Sequence, residues 1–209
     1  MIGLILKDLI SLKKSSGKII IIVALYIVIF ESAGSITFLS AMIIIIFTMF
    51  ILNTFAFDEV SKWDYYALSL PVTKHQIVLS KYLLTLAFDL VGILIAFLLF
   101  LVKNQVTAET VLSLFVLSAL ALIMASVMLP LLYKLGTQKA RIWTIMILLL
   151  PTAGLMLLSA LGIKLSGNIL ASISDSAVEL LVYLAAPAAL LLFTGSYVLS
   201  CKIFENKEI

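Results

Sequence analysis

Residues 81–103 read KYLLTLAFDLVGILIAFLLFLVK, a run whose only charge between the two flanking lysines is Asp89. A helix rises about 1.5 Å per residue, so this stretch alone matches the roughly 30 Å thickness of a bilayer's hydrocarbon core. Working outward, comparable apolar runs occupy 18–33, 36–57, 109–133, 141–161 and 178–201. Run length therefore predicts an all-α, polytopic integral membrane protein with six transmembrane helices, folded as a single transmembrane domain over 1–209. The first run is the shortest, because Glu31 interrupts it. A tight turn over Glu31–Ser35, which Gly34 permits, would join it to the second.

Composition agrees with run length. The 209 residues are 64% hydrophobic and 12% charged, with a mean hydropathy of +1.26. A soluble domain carries about a quarter charged residues, so lipid must be the main solvent here. A net charge of +3 gives no reason to expect a nucleic-acid partner, and membrane lipids are the partner the composition demands. The placement of cations is more telling than their sum. With the spans as drawn, Lys7, Lys13, Lys14, Lys18, Lys62, Lys74, Lys81, Lys134, Lys139, Arg141, Lys202 and Lys207 fall on one side, and only Lys103 and Lys164 on the other. The positive-inside rule then puts both termini in the cytoplasm, and an odd number of spans would spoil the separation.

Ahead of the first run, Ile2, Ile5, Leu6, Leu9 and Leu12 share one helical face opposed by Lys7, Ser11 and Lys14, which predicts an interfacial helix over 1–17. On the far side, 162–177 is long enough for a small amphipathic helix through Ile169, Leu170 and Ile173. The most informative polar stretch lies between the second and third runs, at 58–80. Trp63, Tyr66, Ala67 and Leu70 recur there at helical spacing, with Asp58, Glu59 and Lys62 at the start. Pro71 stops that helix, and Thr73 with Gln76 forms a capping-box pattern that restarts another. Two readings stand side by side: a surface helix with its aromatics at headgroup level, or a docking helix that inserts into a groove of a cytosolic partner.

Several chemistries lack their residues. A phosphate-binding loop needs a Gly-rich turn followed by Lys and Ser or Thr, and Gly17-Lys18 is the nearest approach. The chain thus reads as a non-enzyme that binds no cofactor itself. His75, the single histidine, lies at a solvated helix start. Asp89 is the one acid inside a span, about 12 Å along the helix from Lys81. It is either a pathway residue or, on the favoured reading, a hydrogen-bond partner of Asn53, Ser or Thr on a neighbouring helix.

The string Phe57-Asp58-Glu59, Lys62-Trp63-Asp64-Tyr65-Tyr66-Ala67-Leu68-Ser69-Leu70-Pro71-Val72-Thr73-Lys74 and Ile77-Val78-Leu79-Ser80-Lys81-Tyr82 resembles the small permease subunits of type-2 ABC exporters. Within them it is most similar to the branch of the phenol-soluble modulin exporter permeases, which Gly3-Leu4-Ile5-Leu6-Lys7-Asp8-Leu9 also fits. The resemblance implies that 58–80 is a coupling segment contacting a separate ABC ATPase; Asp58, Glu59, Lys62, Trp63, Tyr66 and Leu70 are then the candidate contacts, with Trp63 as anchor because a buried aromatic supplies much of an interface's binding energy. It makes 1–17 an elbow helix, places ATP and magnesium on the partner, and implies a second permease copy or a related one. It further implies export of amphipathic peptides across a bacterial cytoplasmic membrane. The competing readings are a non-transport immunity or assembly factor, and an ion-coupled secondary transporter resting on Asp89 alone.

Overall fold

A computed structural model describes residues 2–31, 36–69, 71–160 and 175–206. All regular elements among them are helices: α1 (Ile2–Glu31), α2 (Ile36–Met49), α3 (Ile51–Ser61), α4 (Trp63–Leu68), α5 (Lys74–Val102), α6 (Ala108–Ala160) and α7 (Asp175–Glu205). Four helical stretches of the described residues are long and apolar enough to cross a membrane: Ile36–Ser61, Lys74–Val102, Ala108–Ala140 and Leu184–Glu205. They overlap the expected second, third, fourth and sixth spans. Where the first and fifth are expected, the backbone is helical over 18–31 and 141–160. Of the expected turn over Glu31–Ser35, Glu31 is the last residue of α1 and 32–35 lie outside the described residues, as do Leu70 and the expected helix through Ile169, Leu170 and Ile173.

Apolar side chains both fill the bundle and coat its outside, with small hydroxyl residues set among the buried ones. Leu90, Leu94 and Leu98 of α5 stand more than half exposed along one stripe. On inward faces Thr48, Thr54, Thr85, Ser118 and Ser200 are buried. Helices α5 and α2 approach closely at Gly92 of α5, where a Cβ would sit 3.1 Å from Ile44 Cα of α2. Small residues that let backbones meet are the usual currency of packing between helices in membranes. On the other side α6 packs along α7, where the Tyr82 hydroxyl of α5 bonds both Ser196 and Ser200 at 2.7 Å and Ser196 donates to the Ser126 carbonyl.

Three features depart from the expected layout. First, α1 runs unbroken through residues 17 and 18, where an elbow helix and a span were expected to meet. One glycine costs a helix about 1 kcal/mol, too little by itself to end it. Second, α1 buries Leu4, Asp8 and Leu12, while Leu6 and Leu9 of the expected apolar face are exposed. Third, the loop expected at 134–140 is helical except at Gly136, whose φ of 77° and ψ of 173° split α6 into two helices meeting end to end.

Candidate functional site

The beginnings of α1 and α5, the ends of α3 and α7 and the break in α6 all meet at one end of the bundle, which also carries α4. There, Ser61 is the last residue of α3 and Lys62 takes a left-handed conformation, φ 51° and ψ 41°. The chain turns sharply and α4 begins at once, with the Tyr65 N–H donating to the Lys62 carbonyl at 3.2 Å. A residue with a side chain costs about 1–3 kcal/mol in that region, so its surroundings must hold it there. Asp58 and Glu59 thus belong to the end of α3, within a stretch long and apolar enough to cross a membrane, and α4 is shorter than the Asp58–Leu70 helix that the spacing suggests. Beyond Pro71 the expected capping box is present: Gln76 N–H donates to Thr73 Oγ1, and Thr73 N–H to Gln76 Oε1.

Asp58 reaches into a buried ion cluster. Its Oδ2 lies 2.6 Å from Lys81 Nζ, and its Oδ1 accepts from Lys7. Asp8 Oδ1 lies 2.9 Å from both Lys81 and Lys7. Two cations and two anions thus alternate around a closed ring contributed by α1, α3 and α5. The Lys81 and Asp8 side chains are 4% and 2% exposed, so each charge depends on the others for what water would otherwise supply. Lys7 also stands 4.2 Å above the centre of the Trp63 ring, a cation–π contact that seats the first residue of α4 against the cluster. Lys81 similarly faces Phe55 at 5.2 Å.

Glu59 points elsewhere. Its Oε2 accepts the Thr137 backbone N–H at 3.0 Å and the Thr137 hydroxyl as well. Between these two arms lies a pocket of about 120 Å³ bordered by Asp58, Glu59, Trp63, Lys81 and Thr137. At the rim, Lys74 donates to the Glu205 carbonyl at 3.0 Å and closes the end of α7, and exposed His75 lies 3.0 Å from Glu205.

The residues singled out from the sequence therefore divide. Trp63 is half-buried beneath Lys7, whereas Tyr65 and Tyr66 are 62% and 64% exposed and Val60 is 85% exposed. Lys62 is exposed at the turn. Asp89 lies apart from this end, buried in the bundle, where Oδ1 accepts from Thr48 at 3.0 Å and Oδ2 from Ser118 at 2.6 Å. Asn53, past the break at Phe50, is half-buried on α3. Sequence reasoning missed Asp8, Thr137 and the pairing roles of Lys7 and Lys81. An acid, Asp8, midway between Leu4 and Leu12 and about one helical turn from each, was the one available signal. Among the described residues no three His, Cys, Asp or Glu side chains gather as metal ligands.

The family described as ABC-2 family transporter protein matches residues 3–205. The chain belongs to that family. Comparison with curated proteins and with solved structures finds no match. As the membrane component of an ABC transporter, an ABC-2 protein works with an ATPase, and the match covers all seven helices described above.

Proposed function

We propose that this ABC-2 protein is the permease subunit of an ATP-driven exporter, in which two permeases, identical or related, are driven by two separate ATPase chains. ATP and magnesium belong to those chains. The basic end carrying α4 faces the cytoplasm of a bacterial cell, with both termini on that side, as the twelve-to-two distribution of Lys and Arg supports. Six spans per permease keep that separation, which an odd number would spoil.

One observation carries the docking assignment: α4 is held by the ion ring through Trp63 and Lys7, yet presents Tyr65 and Tyr66 outward. Exposed aromatics on a rigid support are suited to an ATPase groove, since immobilising them costs little entropy and burying them contributes much. Trp63 then acts by seating α4, and Tyr66 by contact. ATP-driven closure of the ATPase pair draws the two α4 helices together and repacks the permease interface. The cargo class, amphipathic or hydrophobic peptides, comes from the resemblance to modulin exporter permeases. Asp89, engaged by two hydroxyls, supports a packing role over an ion-coupled pathway.

The test is removal of the two tyrosines. Tyr65→Ser with Tyr66→Ser leaves the permease as thermally stable as the wild type and weakens capture of the ATPase encoded beside it by about tenfold or more, as loss of an aromatic hot spot does. Unchanged capture refutes the docking face.

A further inference from the structure

Asp58 and Glu59 are sequence neighbours whose side chains grip opposite parts of the bundle. Asp58 holds α1 and α5 through Lys7 and Lys81. Glu59 holds the helix that begins at Thr137, 78 residues away. We infer that Glu59 is a transmission residue, tying the segment that carries α4 to the helix starting at Thr137 so that displacement of one moves the other. The inference rests on the docking role of α4 proposed above.

The physical case begins at Gly136. Its positive φ ends the helix arriving from Ala108, so the first amides of the next helix lack intrahelical acceptors and carry its positive dipole end. A helix start is ordinarily capped by a Ser, Thr, Asp or Asn side chain just ahead of it. Glycine stands there instead, and the acceptor comes from another element. Its carboxylate takes both the N–H and the O–H of Thr137, a charge-assisted pair of bonds. Space is matched to this arrangement, since a Cβ on Gly136 would lie 3.3 Å from Glu59 Oε1.

The consequence is mechanical. The break at Gly136 lets the two halves of α6 move separately, so a push arriving along the Ala108 half need not reach the Thr137 half. Glu59 lies three residues before Lys62, the turn into α4, and bypasses the break. A pull on α4 is therefore delivered by two adjacent carboxylates at once, to α1 and α5 through Asp58 and to the second half of α6 through Glu59. In this role Glu59 is a positioning residue that need not touch the ATPase.

Hydrogen exchange on the permease in nanodiscs, alone and then assembled with its ATPase and trapped nucleotide, tests this. In the permease alone, Glu59→Ala speeds exchange at the start of the Thr137 helix by about tenfold or more, as expected for a lost charge-assisted bond. Glu59→Gln, which keeps an acceptor, restores most of the protection. In the complex, nucleotide changes exchange at both 63–69 and 137–146 in the wild type. Glu59→Ala keeps the first response and loses the second. Unchanged exchange in the isolated Glu59→Ala permease means the tie does not form, which overturns the inference and leaves the docking reading standing. A full response at 137–146 in the Glu59→Ala complex overturns transmission in the same way. No response at 63–69 in the wild type overturns the docking reading and the inference with it. If Glu59→Ala does not assemble, Thr137→Val removes only the O–H arm, and an undiminished response at 137–146 is then the refuting result.

Discussion

Lys81→Met puts the ion ring to its severest test. The substitution keeps most of the side chain's length and removes its charge, leaving Lys7 alone to serve Asp8 and Asp58. The Asp8 and Asp58 side chains are 2% and 13% exposed, so water offers little relief. Breaking a buried pair by deleting one partner costs about 3–5 kcal/mol. For a chain of this size each kcal/mol lowers the melting temperature by roughly 2–4 °C, giving a fall of roughly 6–20 °C. Lys7→Met costs less, because its side chain is 24% exposed. The companion change Asp8→Asn on the Lys81→Met background leaves one cation facing one carboxylate and recovers most of the loss. Thermal unfolding of the detergent-purified permease, followed across this double-mutant cycle, measures the coupling directly. A stable Lys81→Met variant, or a double variant no better than the single one, refutes the claim that the four charges stabilise one another.

Three further outcomes follow from local geometry. Gly92→Ala forces α5 away from the Ile44 backbone and destabilises by about 1–3 kcal/mol, as overpacking does, seen as a lower melting temperature. Asp89→Leu strands the Ser118 hydroxyl, while Thr48 keeps the Ile44 carbonyl as its acceptor, and costs about 1–2 kcal/mol, whereas Asp89→Asn keeps acceptor capacity and transports normally; loss of transport in a stable Asp89→Asn protein favours an ion pathway. Lys62→Val, a β-branched residue at φ 51°, destabilises by about 1–3 kcal/mol, while Lys62→Gly is tolerated in the same melting assay.

Much of the architecture was legible because lipid imposes a simple code. Long apolar runs mark helices, and four of them cross the bundle about where they were expected. The Thr73–Gln76 capping box was equally legible, since both of its bonds lie within four residues. The turn at Lys62 was not. It uses neither glycine nor proline, and the contacts on either side of it must hold its conformation. The ion ring was hidden for a related reason: Lys7 meets Asp58 across 51 positions and Asp8 meets Lys81 across 73, so only the fold brings them together. Read singly, Lys7 and Lys81 look like topology markers, and Asp58 and Glu59 like solvated residues at a helix start. For Asp89 the type of partner was foreseeable and the individuals were not, because Thr48 of α2 and Ser118 of α6 face it, whereas Asn53 lies on α3.

Co-expression of the permease with the ATPase encoded beside it, followed by purification and reconstitution, tests the central claim most directly. The account predicts a stable assembly of two permeases with two ATPases that hydrolyses ATP and moves an amphipathic peptide only while ATP is turned over. A permease that captures no ATPase in any detergent or lipid, or an assembly that hydrolyses ATP while moving nothing, contradicts it.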